Sequence, residues 1–141
     1  MKKPILLFAI KCSVILYFAA CTGINEYTSA VSATPHVTIG TWKVSLFIDA
    51  QNDKTTAFDG YTLIFEPTGK IVATKNGEKI TGSWAEDDIS KKLTISLNTK
   101  DPALAKLNNY WTIASITNSG LSFQNTENPS SGWLQITSLW L

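Results

Sequence analysis

From Ile39 onward, apolar and polar residues alternate with a period of two, which is the pattern of β-strands that bury one face. The first such segment predicts a strand whose inward side chains are Trp42, Val44, Leu46 and Ile48 and whose outward side chains include Phe47. Since a helix would need a period near 3.6 residues, this alternation restricts the chain to an all-β fold.

Two turns predict the register of the following strands independently. Residues 66–69 (EPTG) favour a three-residue hairpin loop that places Phe65 opposite Ile71. The Asn-Gly pair at 76–77 favours a two-residue turn, because both residues tolerate positive φ, and it places Ala73 opposite Ile80. Both turns assign the same face to the interior, and a slip of one residue would turn that face outward.

Further alternating segments continue to the end of the chain and give eight predicted strands within residues 38–141. A short helix is expected between the fifth and sixth strands, where Asp101 suits the N-cap and Pro102 the first helical position. An eight-stranded antiparallel up-and-down meander removes its edges by closing into a barrel, which is the predicted fold. A two-sheet sandwich is the alternative.

The N-terminus has the layout of an export signal. Lys2, Lys3 and Lys11 precede an uncharged apolar run that is too short to span a bilayer and ends in Ala19 and Ala20. The following Cys21 completes a motif that resembles a bacterial lipobox. Residues 1–20 are therefore predicted to be a lipoprotein signal peptide, and residues 21–37, which have little periodicity, a flexible tether.

The resemblance to a lipobox implies diacylglycerol on the sulfur of Cys21 and a lipid-anchored protein of the cell envelope, at the outer membrane of a Gram-negative bacterium. The alternative is an ordinary signal cut that leaves a free Cys21. Removing residues 1–20 would take away three lysines and no acidic residue, so the formal charge of +1 would become slightly negative.

Composition excludes several function classes. The chain has no Arg and a formal charge of +1, which argues against nucleic-acid binding. One His and two Cys leave too few ligands for a zinc site and no Ser-His-Asp set, so we expect no metal, no cofactor and no enzymatic activity. The acidic run 86–88 is predicted to be a solvated hairpin tip rather than a calcium site.

Gly40 and Trp42, at the start of the first strand, resemble the Gly-x-Trp signature of the lipocalin and fatty-acid-binding group. Together with the hairpin sequences that follow, the likeness covers residues 38–141 and is similar to that of small bacterial lipocalin-like lipoproteins. It implies a barrel in which Trp42 packs across the closed end. The late-strand Arg of lipocalins is missing, and the ten-residue loop after the first strand replaces the two helices of fatty-acid-binding proteins.

The aromatic residues are the candidate ligand contacts. One hypothesis is that Tyr61, Trp84, Trp111 and Trp133 line a cavity for a small apolar ligand; the other is that they belong to a packed core.

The sequence therefore predicts a membrane-anchored, non-enzymatic lipocalin-like protein that binds a small apolar ligand in its barrel. The alternative is a protein- or glycan-interaction or structural module with a filled barrel, motivated by the predicted outward positions of Phe47, Ile64 and Val72. The sequence names neither a ligand nor a protein partner.

Overall fold

The computed structural model describes residues 32–130 and 132–139, which contribute nine strands to one antiparallel sheet. The strands are β1 Trp42–Asp49, β2 Asn52–Asp53, β3 Thr62–Phe65, β4 Lys70–Lys75, β5 Glu78–Asp87, β6 Lys92–Leu97, β7 Asn109–Ile116, β8 Gly120–Asn125 and β9 Trp133–Ser138. β1 pairs with β3 and also with β9, so the sheet closes, while the two-residue β2 only pairs with the end of β1. The predicted eight-stranded barrel is confirmed, and the sandwich alternative is wrong.

Three short helices lie outside the barrel wall in this part of the chain: α1 Thr34–Val37, a 3₁₀ helix Thr55–Phe58, and α2 Pro102–Ala105. α2 lies between β6 and β7, the fifth and sixth of the long strands, as predicted. The carboxylate of Asp101 accepts hydrogen bonds from the backbone N–H groups of Ala103 and Leu104, each at 2.9 Å. The predicted N-cap is therefore confirmed.

Both predicted hairpin registers are confirmed. Phe65 lies opposite Ile71 across the turn that contains Gly69, and Ala73 lies opposite Ile80 across the Asn-Gly turn. The glycines of the two turns have φ near +85° and +83°, a conformation that side chains with a Cβ rarely adopt. The turns thus carry the register that buries one face of β3, β4 and β5.

β1 departs from the predicted alternation at its midpoint. Its register with β9 shifts between Val44 and Leu46, which is a β-bulge, and a bulge reverses the faces of the residues beyond it. Phe47 is therefore buried, with 3% of its surface exposed, while Leu46 and Ile48 are half-buried outside the core. The predictions that Phe47 faces outward and that Leu46 and Ile48 face inward were wrong.

Of the other two residues predicted to face outward, only Ile64 is exposed. Val72 pairs with Ile64 on one side and with Thr81 on the other, and only 9% of its surface remains accessible. The outward apolar surface that favoured an interaction face is therefore smaller than the sequence predicted.

Side chains fill the inside of the barrel. Apolar residues from all eight long strands, together with Phe58, Leu104 and Leu107 from the connecting segments, form one continuous core. The ring of Phe47 lies 4.8 Å from that of Phe58 and 6.1 Å from that of Trp111, measured between centroids. No polar or charged side chain is buried among the described residues.

The backbones of β5 and β6 approach closely at Gly82, which faces the interior between Ile71 and Leu97. A Cβ at this position would lie 2.0 Å from the carbonyl oxygen of Ser96, well inside van der Waals contact. Glycine is therefore required here by the close approach of two strands, which allows the sheet to curve sharply.

The two ends of the barrel differ. At one end, here called the base, lie α1 and the turns 66–69, 88–91 and 117–119. At the other end, here called the rim, lie the loop 50–61 with the 3₁₀ helix, the turn 76–77, and the segment 98–108 with α2. The placement follows from the antiparallel pairing, since consecutive strands connect at alternate ends.

α1 closes the base. Ala33 and Val37 are completely buried, and the indole N–H of Trp42 donates to the carbonyl oxygen of Val37 at 2.8 Å. The residues before α1 are held as well, because the hydroxyl of Ser32 donates to the carboxylate of Glu86 at 2.9 Å. Within the segment predicted to be a tether, residues 32–37 therefore pack against the barrel; residues 21–31 lie outside the described residues.

Glu86 holds α1 in place. Its carboxylate accepts the backbone N–H groups of Ala33 at 2.8 Å and Thr34 at 2.7 Å, and the hydroxyls of Ser32 and Thr34 at 2.9 and 2.5 Å. Partial burial raises the pKa of Glu86, but the hydrogen bonds from Thr34, Ala33 and Ser32 outweigh it and leave the pKa below its usual value. The prediction that the acidic run 86–88 is a solvated tip is wrong for Glu86.

No helix within residues 32–130 or 132–139 has both the length and the apolar character needed to cross a bilayer.

The bulge in β1 predicts a reversed pattern of mutational sensitivity. Phe47→Ala should lower the free energy of unfolding by about 3–5 kcal/mol, because it leaves a cavity between Phe58 and Trp111. Leu46→Ala, at a half-buried position outside the core, should cost about 1 kcal/mol. Urea denaturation measures both values, and a Leu46 variant that is as unstable as the Phe47 variant would contradict the bulge.

The hydrogen bonds of Glu86 predict a pH-dependent stability. Because folding lowers the pKa of Glu86 from 4.5, its contribution is complete above about pH 5 and is lost as the pH falls through the folded-state value. Glu86→Gln should lower the free energy of unfolding at pH 7 by about 1–2 kcal/mol, since the site is only partly buried. The difference from the unsubstituted chain should shrink below pH 4.5. Denaturation curves between pH 3 and 7 measure this, and the exposed Asp88→Asn variant is the control, with little expected change. A difference that does not depend on pH would contradict the ionic character of the contact.

Candidate functional site

A cleft of about 370 Å³ opens at the rim, between the turn 76–77, the end of the loop 50–61 and the start of α2. Its lining consists of Tyr61, Lys75, Asn76, Glu78, Ile80 and Asp101. This rim cleft contains both signs of charge, an aromatic ring and one aliphatic side chain, so it offers hydrogen-bond donors and acceptors beside a small apolar surface.

The local sequence positions each wall of the rim cleft. The backbone N–H of Tyr61 donates to the carbonyl oxygen of Phe58 at 3.0 Å, and Phe58 is buried in the core. The opposite wall is the β4–β5 hairpin, in which Asn76 adopts φ of +52°. The cleft is thus built on a short hairpin and on a loop that the core holds.

Asp101 links the remaining two walls. One carboxylate oxygen caps α2, and the other accepts a hydrogen bond from the hydroxyl of Tyr61 at 2.9 Å. The backbone N–H of Leu104 is the main cause that lowers the pKa of Asp101, and the hydrogen bonds from Tyr61 and Ala103 add to it against partial desolvation. Desolvation and the contact with Asp101 raise the pKa of Tyr61, so at neutral pH the pair is a carboxylate and a neutral phenol.

An ion pair fastens the helix that Asp101 caps. Lys106, directly after α2, bonds to Asp49 at the end of β1, and Leu104 within α2 is completely buried. α2 is therefore fixed both to the core and to the first strand, and Asp101 has a defined position at the rim.

Lys75 gives the rim cleft its positive charge. Its ammonium nitrogen lies 4.6 Å from the centroid of the Tyr61 ring, a distance typical of cation–π contacts. Lys75 also lies opposite Glu78 in the hairpin, which follows from the register that places Ala73 opposite Ile80. Because Glu78 and Asp101 bring two negative charges against the one positive charge of Lys75, the side chains of the rim cleft carry a net negative charge at neutral pH.

Among the four predicted ligand contacts, only Tyr61 lines the rim cleft. Trp84 and Trp111 lie in the core, where the indole N–H of Trp84 donates to the carbonyl oxygen of Glu66 at 2.9 Å and that of Trp111 to the carbonyl oxygen of Leu107 at 3.0 Å. Both indoles are fully engaged with the protein itself, which matches the packed-core alternative for these two residues.

Trp133, Trp42 and Gly40 lie elsewhere. Trp133 is half-buried on β9 next to the inward-facing Leu134. Trp42 is buried at the base beneath α1, and Gly40 lies just before β1 with φ of +98°. Cys21 lies outside the described residues. The structure therefore distributes the predicted residues over the rim, the core and the base and does not join them in one pocket.

The residues that join Tyr61 in the rim cleft were missed as site residues. Lys75, Asn76 and Glu78 carried only a hairpin signal, and Asp101 only a helix-cap signal. The predicted topology nevertheless indicated that these residues lie near each other. An up-and-down meander places the connection after β4 and the connection after β6 at the same end of the barrel.

The described residues also form clefts away from this part of the rim. One of about 190 Å³ lies at the base beside Ile39 and Trp42, and another of about 220 Å³ lies along β8 and β9. In residues 32–130 and 132–139, no group of three His, Cys, Asp or Glu side chains is arranged to hold a metal ion.

Comparison with known proteins gives a likeness of fold. No protein-family model matches the chain, and no curated protein is significantly similar in sequence. A DUF4847 family protein from Bacteroides vulgatus, solved by crystallography, superposes with a TM-score of 0.58 at 14% identity, over 75% of this chain and 96% of that protein. An NMR structure of a protein from Burkholderia xenovorans matches 77% of this chain and 88% of its own at 15% identity, with a TM-score of 0.49. At this identity, the first likeness shows that the two chains share a fold.

Proposed function

We propose that this chain is a lipid-anchored, non-enzymatic binding module of the bacterial cell envelope whose ligand site is the rim cleft. The proposed ligand is a small hydroxyl-rich molecule, such as a saccharide. The observation that carries the proposal is the contrast between the barrel interior, which apolar side chains fill, and the rim, where a cleft of about 370 Å³ gathers Tyr61, Lys75, Glu78 and Asp101.

The filled interior favours the glycan-interaction alternative over an apolar ligand inside the barrel. The interior is occupied by large side chains of which at most 2% of the surface is exposed, such as Trp42, Phe65, Trp111 and Phe123. They fill the space that an interior ligand would need. Displacing them would break the packing of the core, which contributes most of the stability of a small domain. A ligand at the rim requires no such rearrangement.

The polar groups that line the rim cleft are suited to bind adjacent hydroxyl groups of a saccharide. The carboxylates of Asp101 and Glu78 accept hydrogen bonds, the ammonium group of Lys75 donates them, and the amide of Asn76 does both. Ile80 and the Tyr61 ring offer apolar contact to the C–H face of a sugar ring. Asp101 is held ionised by α2 and Tyr61, so it is suited to accept hydrogen bonds and not to act as a general acid.

The anchoring part of the proposal is supported by the residues that precede the domain. Three lysines, an uncharged apolar run and the Ala19-Ala20-Cys21 motif have the order of a lipoprotein signal. We propose that the acylated Cys21 holds the mature chain at the outer membrane, since acyl chains on one residue contribute about 0.8 kcal/mol per buried methylene.

Anchoring predicts a specific role for Cys21. In a Gram-negative host, the full chain should appear in the membrane fraction with the mass of an acylated N-terminus that begins at Cys21. Cys21→Ser should abolish the acyl mass and move the protein out of the membrane fraction after high-salt washing. Cys12→Ser is the matched control, because the proposed cleavage removes that residue. Retention of the acyl mass in the Cys21 variant would contradict the proposal.

The ligand site predicts a localised response to saccharides. In two-dimensional NMR spectra, titration with a panel of monosaccharides and disaccharides should shift the backbone amides of Asn76, Glu78 and Asp101. Lys75→Met, which keeps an unbranched apolar stem, should weaken binding about tenfold, because a hydrogen bond to a charged group is lost.

Lys79→Met is the matched control for the binding experiment, because Lys79 is exposed on β5 and does not line the rim cleft. It should leave the affinity unchanged. Shifts confined to core amides such as that of Phe123 on addition of fatty acid would instead support a ligand inside the barrel. Absence of any response to saccharides at the rim would contradict the proposed ligand class.

A further inference from the structure

Exposed apolar side chains concentrate at the base. Five large hydrophobic residues of the described chain are exposed, namely Ile39, Ile64, Ile89, Tyr110 and Leu139. Three of them, Ile39, Ile89 and Leu139, lie at the base, and two of these are the most exposed of the five, at 74% for Ile39 and 95% for Ile89. We call these three residues the base face.

The chain topology places the base face on one end of the barrel. Ile39 lies between α1 and β1, and Leu139 follows β9 directly. The backbone N–H of Leu139 donates to the carbonyl oxygen of Thr41 at 2.9 Å, which holds the two segments side by side. Ile89 lies in the β5–β6 turn, close to the point where Glu86 on β5 binds the start of α1.

Ile89 is held outward by an ordered turn. The carboxylate of Asp87 accepts the backbone N–H groups of Ile89 at 2.9 Å and of Ser90 at 3.2 Å. These contacts hold the pKa of Asp87 below its usual value, chiefly through the backbone of Ser90. An isoleucine that is almost fully exposed on a hydrogen-bonded turn presents apolar surface with little further loss of conformational freedom.

The length of the preceding chain indicates what covers this face. Ten residues, 22–31, separate Cys21 from Ser32, and a chain spans at most about 3.3–3.6 Å per residue. Ser32 itself is tied to Glu86 at the base. The eleven steps from Cys21 to Ser32 therefore span at most about 40 Å, so an acyl group on Cys21 would keep the barrel near the membrane, and the anchored segment joins the barrel at the base.

We infer that the base face docks on the surface of a phospholipid bilayer, with Ile39, Ile89 and Leu139 in its interfacial layer, so that the rim cleft points away from the membrane. This inference rests on the lipid anchoring proposed above. In this arrangement the acyl chains of Cys21 hold the protein at the membrane, and the apolar contact of the base face sets its orientation.

The charges around the base face specify the kind of bilayer. The turn that presents Ile89 is flanked by Asp87 and Asp88 on one side and by Lys91 and Lys92 on the other. Because these charges balance, electrostatic attraction to anionic lipids does not drive the contact. Docking should therefore occur on zwitterionic phosphatidylcholine and depend little on salt.

The test uses the full chain, processed and acylated in a Gram-negative host and inserted into phosphatidylcholine nanodiscs that contain a nitroxide-labelled lipid. Mass spectrometry first establishes the acyl group. Methyl NMR spectra should then show loss of the signals of Ile39, Ile89 and Leu139 through paramagnetic broadening, while that of Ile80 in the rim cleft remains. The pattern should be the same at low and high salt.

Two variants sharpen the test. Replacing both Ile39→Ser and Ile89→Ser should restore the Leu139 signal, because the face no longer enters the bilayer, whereas the matched Ile64→Ser control should leave the broadening unchanged. Both isoleucines of the double variant are strongly exposed, so folding is retained.

The outcomes separate the two proposals. A chain without acyl groups contradicts the anchoring, whereas an acylated chain whose Ile80 signal is broadened as strongly as that of Ile89 overturns only the orientation. A further sample mixes the chain with a second copy that carries a nitroxide at the substitution Asn118→Cys. If this copy broadens the base-face signals and the labelled lipid does not, the base face is a contact between copies, and bilayer docking is overturned.

Discussion

Closure of the sheet through β1 is the constraint on which the rest of the structure depends. β1 pairs with β9 over most of its length but shares only one residue pair with β3, Trp42 with Leu63. β1 must pair with two strands whose directions differ because the sheet is twisted. The bulge between Val44 and Leu46 bends β1 so that it can pair with both. A similar shift occurs in β7 near Ile113, so two strands adjust the curvature of the barrel.

The bulge also decides what fills the interior. It turns Phe47 inward at the level where the 3₁₀ helix brings Phe58, so that the rings form a layer with Trp111. Other tryptophans act near the ends: Trp42 bonds to the carbonyl oxygen of Val37 and Trp84 to that of Glu66. Each buried indole thus fills volume and also satisfies a carbonyl in a connecting segment, which holds the loops to the barrel.

Local chemistry explains which features could be predicted from the sequence. The hairpins at 66–69 and 76–77 and the cap at Asp101 depend on residues that are neighbours in the chain, and all three agree with the structure. The bulge in β1 and the contacts of Glu86 depend on partners about 50 to 90 residues away, and no local pattern marks them. The rim cleft combines local and long-range features. Its turn at 76–77 and its helix cap at Asp101 could be predicted from neighbouring residues, but only the closed barrel brings them together around Tyr61.

β5 connects the two ends of the molecule. At the rim it contributes Glu78 and Ile80 to the cleft, and at the base it carries Glu86, which holds α1. Its first six residues pair with β4 and its last six with β6, and at about 3.3 Å per residue its ten residues extend over roughly 33 Å. Because every residue of β5 is paired with a neighbouring strand, β5 cannot shorten freely, and it holds the rim and the base at a fixed distance. A barrel filled with side chains is therefore well suited to hold a polar cleft at a constant height above whatever surface its base contacts.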